Sequence, residues 1–355
     1  MAIGRRGFLG HGAALAAGLA APAPVMAMAG AAPARQFVVT TTVDLGPDAR
    51  AVQLWLPLFE TDPACQRADV PQWQGDAAVT LWRDPRTGAA LLHARWDARQ
   101  PGARRLVLSQ RLATWERSPP VRAAGPLPPA ARALWTAPAP GIPTDGIVRD
   151  TARAIIGARR DPKEQLRAIY DWVVAQSWRD PAVRGCGTGD VAAMLTSGRL
   201  GGKCADISSL MVALCRAAGL PARDVYGLRL APSALFPSLG RGGDVTGAQH
   251  CRAEAWIDGA GWLAVDPADV RKAILEEGLA PDSAPVRALG ERLFGAWESN
   301  WGAYNSATGL ALPGASHKPD AHFLMYPAGE HDGMVCDCLD PPRFAYRIDS
   351  REIPA

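Results

Sequence analysis

The chain is most constrained between residues 201 and 221. Gly201-Gly202-Lys203-Cys204-Ala205-Asp206 runs directly into a segment whose apolar residues are Ile207, Leu210, Met211, Leu214 and Ala218. Those positions form one face of an α-helix, with the three-and-four spacing of a buried stripe. Gly219, Leu220 and Pro221 then stop it. Glycine takes the left-handed position after the last turn, leucine folds back onto that turn, and proline forbids continuation. Counting back from the stop puts Cys204 in the first turn, where backbone N–H groups lack partners and the helix dipole is positive. Lys203 adds a cation, and the paired glycines let another part of the chain approach. All of this favours thiolate over thiol, the form a nucleophile needs.

A hairpin lies downstream. His250-Cys251-Arg252-Ala253-Glu254-Ala255-Trp256-Ile257 is followed by a turn at residues 258–261 and by Trp262-Leu263-Ala264-Val265-Asp266-Pro267. Cys251, Ala253, Ala255 and Ile257 alternate as a core face, and Leu263 and Val265 share it. His250, Arg252, Glu254 and Trp256 then take the other face with Trp262, Ala264 and Asp266. Both faces agree only if paired residue numbers sum to an even value, as with Ile257 opposite Gly261 or Leu263. A two-residue loop would break that parity, so the pattern predicts an odd-length loop or a bulge. His250 and Asp266 then project together, and a carboxylate can orient an imidazole. With Cys204 these are the parts of a thiol triad. His250 holds the sulfur as thiolate and later protonates a leaving amine, while Asp266 fixes the ring tautomer. The Cys204 backbone N–H is positioned to be one oxyanion donor. Asp206, in the first turn, reads as a partner of the helix dipole rather than a catalyst.

The rest of the chain divides into regions. Strand patterns occupy residues 36–45, 50–58, 77–83, 89–96 and 104–115, with turn residues between them, and predict a β-sandwich-like domain over 36–120. His93 is alone there and reads as structural. Prolines crowd residues 126–143, within a connector assigned to 121–145. Asp161-Pro162-Lys163-Glu164 starts a helix, with an N-cap, a first-turn proline and a glutamate that reaches back. A short helix capped by Asp190 leads to the Cys204 turn. A strand over 222–230 precedes a long Gly/Pro/Ser loop, 231–249, of a length usually functional or mobile. A catalytic core over 146–275 is followed by an extension, 276–355, predicted to pack on it. In that extension a helix is expected over 284–297 and extended segments over 323–327 and 344–348. Trp297, Trp301 and Tyr304 are expected to fill a groove rather than line one.

Three motifs now stand in one order: Gly-Lys-Cys-Ala-Asp at 202–206, Leu214-Cys215-Arg216-Ala217-Ala218-Gly219-Leu220-Pro221-Ala222-Arg223, and Gly261-Trp262 before Asp266-Pro267, with His250 between. Over about residues 147–270 the chain resembles the transglutaminase-like superfamily, and its N-terminal β region resembles that of bacterial members. The resemblance implies an α+β fold with a papain-like core, a central helix packed on an antiparallel sheet. It also implies a cysteine enzyme acting on amide bonds, as peptidase, amidase or acyltransferase, without a cofactor. Where the family carries His-Ala-Trp, this chain has His250-Cys251-Arg252-Ala253-Glu254-Ala255-Trp256, with the tryptophan displaced. The other class of function is a catalytically inactive scaffold of the same fold that binds a peptide or a cell-envelope component.

Residues 1–29 read as a targeting segment. Gly4-Arg5-Arg6-Gly7-Phe8-Leu9 is a twin-arginine signature, and Ala27-Met28-Ala29 a small-x-small cleavage site. The apolar run between them, broken by glycines and two prolines, is a poor spanning helix, so no stable membrane anchor is expected. The expected location is periplasmic or secreted. A net charge of +3 spread without basic runs gives no argument for nucleic acid, and a peptide or protein substrate is expected instead. Seven cysteines, an odd count, leave at least one thiol free. With Cys204 set apart, the pairing of Cys65, Cys186, Cys215, Cys251, Cys336 and Cys338 stays open, though Cys215 falls on the apolar side of its helix. His317, His322, His331, Cys336 and Cys338 crowd the tail at spacings that fit no structural zinc pattern, and no metal site is expected there.

Overall fold

In the computed structural model the described residues are 34–47, 50–99, 102–119, 124–316 and 323–354. The twin-arginine segment, its cleavage site, His317 and His322 lie outside them. The stripe around Leu210 forms the helix Cys204–Ala217, and residues 204–216 are buried on every side. Full burial of a helix with only one apolar stripe requires its polar residues to be bonded. They are: Ser208 donates to the Cys251 carbonyl (3.3 Å), Ser209 to Asp224 (3.2 Å) and Arg216 to the Ala222 carbonyl (2.8 Å). Cys215 is buried in the same core.

The helix lies on an antiparallel sheet ordered Gly261–Val265, Gln249–Ile257, Ala222–Arg229, Trp301–Asn305. Helices Gly146–Ile156, Pro162–Gln176 and Pro267–Glu276 pack around it. The opposite face of the sheet is covered by Trp297 and Trp301 with Val225 and Ala264, so the tail tryptophans fill space. The hairpin has the expected parity. Ile257 pairs with Gly261 and Ala253 with Val265, across a three-residue loop.

Strands Arg35–Pro47, Ala103–Thr114, Gln66–Ala68 and Gln72–Gly75 build one N-terminal sheet, and Val52–Pro57, Ala78–Arg83 and Ala90–Trp96 another. Phe37, Val39 and Val43 alternate inward, as β-branched and aromatic residues on one pleated face should. Neither sheet is complete without the tail. Tyr346–Ile353 pairs along Arg35–Pro47, and Ala328–His331 along Val52–Pro57. The tail also supplies the core sheet's edge strand, Trp301–Asn305. The described residues all belong to one unit.

Three local expectations change. The proline-rich stretch holds a helix, Pro129–Thr136, because a proline at the helix start needs no N–H donor and Ala-Ala-Arg-Ala-Leu-Trp follows it. The tail helix ends at Arg292 rather than 297, since Gly295 takes φ +129° and Trp297 pairs in both directions with Arg117. Residues 323–327 carry no strand, and the strand begins at Ala328. Among the described residues no helix is long and apolar enough to cross a membrane.

Candidate active site

The helix tip is fixed by one carboxylate. Asp206 Oδ1 accepts from the Thr188 and Gly189 amides, and Oδ2 accepts from Lys203 N–H, each at 2.9 Å. Its role is to tie the loop before the helix to the first turn. Ala205 N–H completes the tie by donating to the Cys186 carbonyl (2.9 Å). The surrounding glycines are required by this closeness. A Cβ on Gly202 would stand 2.4 Å from the Asp206 Cβ, and one on Gly187, at φ +93°, would stand 1.9 Å from a carboxylate oxygen. The Cys204 amide sits in the first turn, with no intrahelical acceptor.

His250 comes from the adjacent strand and is buried. Its Nε2–H is donated to Asp266 Oδ2 (2.8 Å), and Asp269 Oδ1 lies 3.3 Å from the same nitrogen. His250 also lowers the Cys204 thiol, and with Nε2 taken up by Asp266, Nδ1 is the nitrogen left to face the sulfur. The His250 carbonyl accepts from the Trp301 indole (3.1 Å). Asp266 is not a turn residue in passing. It caps the helix Pro267–Glu276 through Oδ1, which accepts from Asp269 N–H (2.9 Å).

Two residues of this site, Asp269 and Arg229, give no signal in the sequence, while Arg252 shares the face that the alternation assigns to His250 and Asp266. Asp269, on the first turn of the following helix, pairs with Arg229 from the middle strand (2.5 Å). Arg252 reaches Asp266 Oδ2 (3.2 Å) and stacks over the Trp301 ring at 4.6 Å. Two buried guanidiniums thus balance two buried carboxylates. That leaves the imidazolium and the thiolate to balance each other. Burial, with Arg229, pushes His250 down, but Asp269 and Asp266 more than reverse this and hold it up at about 9. The neighbouring Cys186 and Cys251 thiols, with His250, draw the Cys204 thiol well below the ordinary thiol range against the burial that raises it. Burial raises the Asp269 carboxyl, and Arg229 and His250 bring it well below the usual carboxylate range.

Ligand atoms of His250, Asp266 and Asp269 lie within 4.8 Å of one another, the spacing of a metal set. The flanking Arg229 and Arg252 already neutralise those carboxylates, so the charge a cation would need is taken. No tail residue joins that set. His331 is buried in the strand beside Val52–Pro57, and Cys336 and Cys338 pack near Val43 and Phe344. Among the described residues no disulfide joins any of the seven cysteines. Cys204 and His250 open onto a cavity of about 410 Å³, walled also by Lys203, Gln249, Tyr326 and Tyr346.

Comparison with known proteins agrees with this architecture. Residues 149–267, which contain Cys204, His250 and Asp266, match the profile of the transglutaminase-like superfamily. An uncharacterised protein of Haemophilus influenzae is 38% identical over 224 residues, 60% of this chain and 61% of that protein, so the chain covers less than two thirds of that relative's length. The crystal structure of a candidate cysteine protease from Cytophaga hutchinsonii superposes with a TM-score of 0.56 over 92% of this chain and 93% of that one. Identity there is 12%, so the likeness is one of fold. Helix tip, hairpin and profile match together give residues 149–267 the core of the transglutaminase-like superfamily.

Proposed function

We propose that the protein is an exported cysteine enzyme that opens an amide bond through an acyl-thioester on Cys204. One observation carries this reading: a thiol lowered well below its ordinary range shares a cavity with a histidine held protonated up to about 9. The Cys204 thiolate attacks the amide carbonyl, and the Cys204 N–H at the helix tip donates to the oxygen as it gains charge. As the S–C bond replaces the C–N bond, His250 gives its proton to the departing nitrogen, and Asp266 keeps the ring in register. His250, now neutral, takes a proton from water or from a second amine, which attacks the thioester and releases the acyl group. Hydrolysis gives a peptidase or amidase, and attack by an amine gives a transferase. The twin-arginine signature supports work in the periplasm or outside the cell.

Incubation of the whole protein with a peptide library, read by mass spectrometry, tests this. New termini, loss of ammonia or amine adducts are expected from the wild type and none from Cys204→Ser. A library left unchanged by both, with Cys204 alkylated no faster than a free thiol at neutral pH, would leave a peptide-binding scaffold as the function.

A further inference from the structure

The wall of the Cys204 cavity is unevenly charged. Arg179, Lys203, Arg229, Arg241 and Lys272 line it against one carboxylate, Glu276. Arg229 is matched by Asp269, and Arg179 and Lys272 both lean on Glu276, at 3.4 and 3.1 Å. Lys203 and Arg241 make no ion pair among the described residues. Lys203 adjoins the nucleophile, and Arg241 is exposed on the long loop 231–249. Gln249 lines the same cavity at 8% exposure, and its Nε2 is buried without an acceptor. A buried amide N–H left unpaired is costly and marks a place where a ligand oxygen belongs. The cavity therefore offers donors and cations in excess of acceptors.

We propose that the substrate is an acidic peptide. A carboxylate next to the amide lies against Lys203 and Arg241, and an acceptor oxygen of the same peptide takes the Gln249 hydrogen. The proposal rests on Cys204 being the reacting thiol, and it names the class of chain that reaches it.

Two alkylating agents of similar size test the field directly, with modification of Cys204 itself followed by mass spectrometry. Iodoacetate is anionic and iodoacetamide neutral, so their rate ratio cancels the fraction of thiolate. At about 0.01 M ionic strength, where the Debye length is about 30 Å, the ratio at Cys204 is expected to exceed that of N-acetylcysteinamide by about tenfold. It should collapse toward that reference at about 1 M salt, where the Debye length is about 3 Å, and fall several-fold in Arg241→Gln. N-acetylated tetrapeptide amides differing only in Glu for Lys form a second arm. The Glu peptide should protect Cys204 from iodoacetamide, and the Lys peptide should not. A wild-type ratio at or below the reference at both salt concentrations, or equal protection by the two peptides, overturns the proposal. Slow reaction with both reagents and an ordinary thiol midpoint would instead sink the activated-thiol reading. The ratio measured above that midpoint would still decide the charge preference.

Discussion

Two neighbouring thiols and an imidazole act on Cys204, and the effect of the imidazole can be separated. His250→Ala removes the cation beside the sulfur, so the pH midpoint for alkylation of Cys204 should rise by about one to two units toward the free-thiol value. Acyl transfer needs the protonated imidazole to discharge the amine. Since His250 is held up at about 9, turnover should be lost as pH rises through that value. A pH–rate profile with its basic limb near 7 would contradict the assignment. Asp269 acts through the ring rather than on substrate. Asp269→Asn removes one of the two carboxylates that raise His250, so the basic limb should move downward. It also leaves Arg229 buried without its partner, and urea unfolding should register a loss of about 3 kcal/mol or more.

At the scale of the element, the helix tip depends on glycines that leave room for Asp206. Gly187→Ala combines a positive φ with a Cβ driven into the carboxylate. We expect a loss of at least about 2 kcal/mol in thermal or urea unfolding, whereas Gly219→Ala, at φ +84° but in open space, should cost less. The tip and the hairpin were legible because each rests on local rules: cap and stop residues for the helix, side-chain parity for the strands. Parity alone requires an even sum, met here by Ile257 opposite Gly261, and turns His250 toward Asp266. Asp269 and Arg229 were not legible. They meet from a helix and a strand forty residues apart, and neither breaks a local pattern. The short strands Gln66–Ala68 and Gln72–Gly75 escape for another reason. The second is exposed throughout and takes its structure from pairing with Ala103–Thr114. The Pro129–Thr136 helix is masked by the prolines around it, one of which is its first residue.

For the molecule as a whole, the tail joins the N-terminal sheets to the cavity. Tyr346–Ile353 pairs with Arg35–Pro47 on one side and with Gly243–Asp244 of the long loop on the other, while Phe344 and Tyr346 form part of the cavity wall. Ile348 is buried in the main core. Ile348→Ala should therefore cost about 2–5 kcal/mol, and Cys204 should lose its protection in the same urea transition as tryptophan fluorescence. Two separate transitions would show that the β region and the transglutaminase-like core unfold independently. The placement of Tyr346–Ile353 also bears on how the protein is made. While residue 353 is still inside the ribosome, Arg35–Pro47 has an open edge and Gly243–Asp244 lacks its strand partner. The wall around Cys204 is therefore completed only once residues 344–353 have been made.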